Sequence, residues 1–138
     1  MRTIRNRGAM DESNDFQRDE TVGPGQYRIA KRDNGFMLAG KTCPKCGHHF
    51  AIAPRECRQC GAELIDATFG PRGEVWSSTV VHIKAAMRTA PYTLAYVDLL
   101  QGPRIIAHVR DASVRPNVGQ LAELVGLTES GDPMVVCV

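Results

Sequence analysis

Four cysteines fall into two closely spaced pairs, Cys43-Pro44-Lys45-Cys46 and Cys57-Arg58-Gln59-Cys60, separated by residues 47 to 56. A turn of that length brings two sulfurs to one side, and two such turns complete a tetrahedron of thiolates around a single metal ion. Gly47 and Gly61 follow the two pairs directly. At that position a knuckle turn needs a residue that tolerates positive φ and lets backbone amides approach sulfur. Four thiolates leave no open coordination position, so the expected ion is structural and does not activate water. Two C-x-x-C pairs in register favour a metal site over a redox dithiol or a disulfide. Zn2+ is the expected ion, with iron held by the same four sulfurs as the open alternative. His48 and His49 are read as exposed knuckle residues beside a ligand set that four cysteines already complete.

The rest of the chain offers little uncommitted chemistry. Cys137 lies in the apolar run Met134-Val135-Val136-Cys137-Val138 and reads as a packed, inert thiol. His82 and His108 fall in expected strands without a carboxylate partner visible in the sequence. Gly23-Pro24-Gly25 lacks the helix and lysine that would make it a phosphate-cradling loop. No catalytic residue is assigned, and no turnover by this chain on its own is expected.

The elements that must position the cysteines are short. With 138 residues, the chain has room for a small metal-stapled module and one compact domain. Hydrophobic content of 43% and charged content of 23% fit a water-soluble globular protein, and a net charge of +2 is too slight to argue for nucleic acid by itself. No stretch approaches the roughly 20 apolar residues of a membrane span. The N-terminal arginines have no apolar run behind them, so no secretory signal is read and a cytoplasmic location is expected.

Residues 1 to 22 mix both signs of charge with scattered apolar positions and are expected to form a mobile tail. Gly23-Pro24-Gly25 and Asp33-Asn34-Gly35 mark turns, and Tyr27, Ile29, Phe36, Met37 and Leu38 supply a short apolar element that is either helix or strand. From Val75 to Ile83 the residues are β-branched and partly alternating, which predicts a strand. In Tyr92 to Leu100, Thr93, Ala95, Val97 and Leu99 face one way, and the turn at Gln101-Gly102-Pro103 makes residues 92 to 109 a hairpin. Leu121 to Leu127 reads equally as a short helix or a strand, and Met134 to Val138 forms a last apolar run. Five short strands with turns between them suggest a small β-barrel.

The knuckles, Ala53-Pro54-Arg55 before the second pair, and Gly73-x-Val75-x-Ser77-Ser78-Thr79-Val80-Val81 occur in an order that resembles the acyl-CoA-associated family joining a rubredoxin-like zinc ribbon to an OB-fold domain. Pro91-Tyr92, then Ala95-Tyr96-Val97-Asp98-Leu99, and the turn glycine Gly102 extend the resemblance, which covers about residues 35 to 138. The chain departs from the family in having Ala53 where a first proline is common, and in lacking a tryptophan in Ala62 to Gly70. The resemblance implies a mainly β fold with a tail and lead-in over 1–34, a ribbon over 35–66 and a five-stranded OB-fold barrel over 67–138. It makes Val118-Gly119-Gln120-Leu121-Ala122-Glu123-Leu124 the fourth barrel strand.

Members of the family are small partners of thiolase-fold enzymes, whose large subunit carries the nucleophilic cysteine. The implied function is therefore a zinc-containing, non-catalytic accessory subunit of a heteromeric thiolase, two plus two as one assembly. An aromatic acyl-CoA in a degradative pathway is one setting. Coenzyme A or acyl-CoA would bind at the partner interface. Arg55 and Arg58 are either contacts to its phosphates or solvated surface residues. Phe50, Ile52 and Pro54, in an apolar loop between the knuckles, are either partner surface or packing for the module itself. The competing class is nucleic-acid binding, which would use Arg104, Arg110 and Arg115 with Tyr92 and Tyr96 in a basic groove.

Overall fold

The computed structural model describes residues 27–33, 35–84 and 89–138. The expectations for residues 1 to 22 and for Gly23-Pro24-Gly25 lie outside them, as does Asn34 in the second turn. Nine strands and no helix make up the described residues.

The open lead-in resolves into a hairpin of β1 (Ile29–Arg32) and β2 (Gly35–Thr42), paired from Ile29↔Leu38 to Arg32↔Gly35. β2 is the organising strand of a small sheet. It also pairs with β3 (His49–Phe50) through Lys41↔Phe50 and Thr42↔His49, and with β4 (Ile65–Phe69) over Leu38 to Thr42. Leu38 pairs with both Ile29 and Phe69, so β1 and β4 flank opposite edges of β2.

The remaining five strands close a barrel: β5 (Arg72–Val81), β6 (Tyr92–Leu99), β7 (Arg104–Val109), β8 (Leu121–Leu127) and β9 (Pro133–Cys137). Their order around the barrel is β5-β6-β7-β9-β8, with the only parallel pairing of the five between β7 and β9. This is the order of a closed OB-type barrel. Period-two alternation is carried through β6, where Thr93, Ala95, Val97 and Leu99 are buried, and is continued by Ile105, Ala107 and Val109 on β7. Burying a Val, Leu or Ile side chain stabilises by roughly 1.5–3 kcal/mol, so these inward positions fix the register. Thr93 is fully buried, and its hydroxyl donates to the Ala112 carbonyl at 3.0 Å, which removes the cost of an unpaired polar atom. The ambiguous run is a strand, beginning at Leu121. Ala122, Leu124 and Gly126 are its buried positions, and apolar Leu121, Val125 and Leu127 on the opposite face hide this alternation from a reading of the sequence.

Sheet and barrel share one core. Leu38 of β2 and Phe69 of β4 belong to the cluster that contains Val75, Val97, Ile105, Leu124 and Val135. Where β4 meets the β6–β7 turn, a Cβ at Gly102 would lie 2.6 Å from Phe69 Cδ1, so only glycine permits this approach.

Candidate metal centre

The two knuckles are built alike. In the first, the Cys43 amide donates to the His48 carbonyl at 2.8 Å and the Gly47 amide to the Cys43 carbonyl at 2.9 Å. In the second, the Cys57 amide donates to the Ala62 carbonyl at 2.9 Å and the Gly61 amide to the Cys57 carbonyl at 2.8 Å. Gly47 and Gly61 adopt φ of +84° and +76°, with open space where a Cβ would stand. The sequence therefore needs glycine there for backbone conformation and not for room. β2 and β3 frame the first knuckle through Thr42↔His49, the Glu56↔Glu63 bridge frames the second, and β4 carries the chain back along β2.

The four Sγ atoms of Cys43, Cys46, Cys57 and Cys60 all lie within 4.8 Å of one another. Cys43 and Cys60 are 3.4 Å apart, and Cys46 and Cys57 are 3.5 Å apart. A tetrahedral site with metal–sulfur bonds of about 2.3 Å has sulfur–sulfur edges of roughly 3.8 Å, so this cluster can hold one metal ion. Cys43 and Cys57 are buried, with Leu64 beneath them and Phe50, Ala53 and Ala62 packed around; Cys46 and Cys60 face outward.

Charge divides the four sulfurs in the same way within each knuckle. The Cys46 amide, opposed by burial and helped by the Lys45 amide and neighbouring sulfurs, holds the Cys43 thiol down to about 6. At Cys57, burial alone would raise the thiol, but the Cys60 and Gln59 amides and the Cys46 sulfur outweigh it and lower it. The His48 amide favours the Cys46 thiolate, yet burial and the other three sulfurs push that thiol up to about 12. The Ala62 amide likewise favours the Cys60 thiolate, but the Cys43 sulfur, burial and the Cys57 sulfur outweigh it and push that thiol up. Two thiols are lowered and two raised, so a metal ion bound by all four sulfurs would displace the protons that the raised pair keeps.

His48 and His49 are exposed and stand beside the cluster. His48 Nδ1 is 3.5 Å from the Cys46 sulfur, and its other ring nitrogen is 3.3 Å from Gln59 Nε2. His49 lies 3.0 Å from the Thr42 hydroxyl and meets the Phe69 ring edge-on at 5.2 Å. In the loop between knuckles, Phe50 packs on the ribbon core, Ile52 is 45% exposed, and Pro54 is half-buried. Arg55 and Arg58 are exposed on the second knuckle.

On the barrel, Arg104 is held by Asp98 at 2.6 and 3.1 Å and lies 3.8 Å over the Trp76 ring. Its cation is therefore already paired. Burial pushes the Cys137 thiol up. His108 has a carboxylate neighbour that the sequence did not disclose: its Nε2 is 3.5 Å from Asp132 Oδ2, and Tyr92 stacks on it at 5.6 Å. His108 and Asp132 lie on different strands and turns, with no shared motif to announce them.

Residues 67–127 match the family described as the ChsH2 C-terminal OB-fold domain. The barrel is similar to that OB-fold domain over this span. The four-cysteine ribbon ahead of a ChsH2-type barrel is the arrangement that the sequence resembles. A DUF35 domain-containing scaffold protein of Methanocaldococcus jannaschii is 28% identical over 126 residues, covering 86% of this chain and 87% of that protein. Among solved structures, the Ltp2-ChsH2(DUF35) aldolase matches with a TM-score of 0.61 at 21% identity, over 72% of this chain and 84% of that one. A DUF35-family protein of unknown function from Sulfolobus solfataricus matches with a TM-score of 0.55 at 16% identity, over 74% and 76% of the two chains. At those identities the two structures show a shared fold.

Proposed function

We propose that this chain is a non-catalytic scaffold subunit that carries a structural zinc ion and assembles with a thiolase-fold enzyme acting on acyl-CoA. The observation that carries the reading is the match over 86% of the chain to a protein described as a scaffold, together with a ChsH2-type barrel fold found in an aldolase described with its Ltp2 component. The ribbon (35–66) and barrel (67–138) are the two units of that scaffold. The metal gives the ribbon its rigidity: so short a loop buries little apolar surface, and zinc supplies on the order of 10 kcal/mol to ordering such modules.

The exposed Ile52, with Pro54, is the part of the inter-knuckle loop left to meet a partner. Arg55 and Arg58, exposed beside it, would reach the phosphates of coenzyme A at that interface through charge-assisted hydrogen bonds. Chemistry is assigned to the partner, in a cytoplasmic hetero-oligomer of two plus two subunits, with an aromatic acyl-CoA of a degradative pathway as the setting we favour.

Affinity capture of the chain from its native extract, with metal analysis of the eluate, tests this. A thiolase-fold subunit recovered with about one zinc per chain is the expected result. Thiolysis of acyl-CoA by the isolated chain, or recovery of nucleic acid in place of an enzyme, would overturn it.

A further inference from the structure

β5 loses one neighbour halfway along. β8 pairs only with Arg72, Gly73 and Glu74, whereas β6 stays paired as far as Val81, and the bulge between Val75 and Ser77 falls where β8 leaves off. The segment preceding β8 lies against β5 at this point and is held there. The Val75 amide donates to the Gln120 carbonyl, and the Gly119 amide to the Val75 carbonyl, both at 2.8 Å. The Ser78 hydroxyl donates to the Pro116 carbonyl at 2.9 Å. Within the turn, the Gln120 amide donates to the Asn117 carbonyl and the Asn117 amide to Gln120 Oε1, each at 3.0 Å. Both walls are fixed before any ligand arrives.

Between them is an open cleft of about 420 Å³, lined by Ser77, Ser78, Arg115, Pro116, Asn117 and Val118. Small-molecule sites start at roughly 300 Å³. Arg115 is the one charged residue of the lining, and among the described residues it makes no hydrogen bond or ion pair, unlike Arg104 with its carboxylate. Ser77 and the Asn117 side-chain amide add neutral donors, while Pro116 and Val118, the latter 76% exposed, add an apolar flank. A planar carboxylate is satisfied by one guanidinium fork, whereas donors drawn from both walls suit a tetrahedral oxyanion.

We propose that this cleft binds a small phosphate monoester. Arg115 supplies the charged donors, Ser77 and Asn117 hydrogen-bond the remaining phosphoryl oxygens, and the carbon portion lies along Pro116 and Val118. The site is on the barrel and independent of the metal centre, of Arg55 and Arg58, and of any partner enzyme.

Titration of the isotopically labelled full chain with glycerol 3-phosphate at fixed ionic strength, followed by NMR, provides the test, with glycerol, acetate and inorganic phosphate as comparisons. Saturable shifts at the Ser77, Ser78, Asn117 and Val118 amides are expected, with inorganic phosphate competing for them. Arg115→Gln weakens binding about tenfold or more, the loss of a charge-assisted pair, and Arg55→Gln with Arg58→Gln leaves it unchanged. Arg115 is exposed, so the variant keeps the fold. Shifts that never saturate, equal affinity for acetate, or undiminished binding by Arg115→Gln would overturn the proposal.

Discussion

The Tyr27 hydroxyl accepts a hydrogen bond from the Ile106 amide at 3.2 Å, joining the start of the described chain to the middle of β7. On that part of β7, β6 covers one edge, but β9 reaches only His108 and Val109. A side chain from outside the barrel thus satisfies an edge amide that no strand covers, and its ring packs against the shared core.

Tyr27→Phe keeps the ring and removes the acceptor. Hydrogen exchange at the Ile106 amide should accelerate, and denaturant unfolding should show a loss of roughly 0.5–1.5 kcal/mol, the usual net value of such a bond. Unchanged protection at Ile106 would mean that solvent already serves that amide.

Gly102→Ala would place a methyl 2.6 Å from Phe69 Cδ1 and 2.9 Å from Cγ, against a ring that is itself buried. Overpacking of this kind costs about 1–3 kcal/mol. Thermal unfolding should show the loss, and combining the change with Phe69→Leu should recover part of it. Additive losses would place the strain elsewhere.

Cys57→Ser removes a buried ligand candidate from the ribbon. We expect the variant to lose the bound metal and the amide protection of residues 43 to 64, while the inward positions of β6 and β7 stay protected. Chelation of the wild type should reproduce the pattern if the ion acts on folding. Full protection of the ribbon after verified metal removal would show that packing around Leu64 suffices.

Asp111 accepts hydrogen bonds from the Ser113 hydroxyl at 2.7 Å and from the Ser113 amide at 3.0 Å, and these hold its carboxyl below the usual carboxylate value. A depressed folded-state pKa means that the folded chain binds fewer protons on acidification. The stabilisation is therefore present above the unfolded value and is lost as pH falls through the folded one. Ser113→Ala should raise the Asp111 pKa by NMR titration and flatten the acid limb of stability against pH. An unmoved titration would assign the shift to other groups.

The four-cysteine cluster was legible in the sequence because its determinants are local. The spacing of Cys43, Cys46, Cys57 and Cys60 and the glycines after each pair specify two turns whose hydrogen bonds close within a few residues. β6 was legible for a similar reason, since alternation of Thr93, Ala95, Val97 and Leu99 needs only the pleat of one strand. The run from Tyr27 to Leu38 gave no such answer: its apolar residues fit helix or strand, and pairing of β2 with three other strands decided it.

The sequence by itself determined the two knuckles, the shared face of Thr93, Ala95, Val97 and Leu99, and the order of ribbon before barrel. Tertiary structure alone decided that Phe69 and Leu38 join the barrel core, that Arg104 is neutralised by Asp98, that His108 meets Asp132, and that Tyr96 is exposed. Turn geometry and pleat period are encoded over a few neighbouring residues. Which outer face stays uncovered, and which charges meet, depends on barrel closure, which brings together residues far apart in the chain.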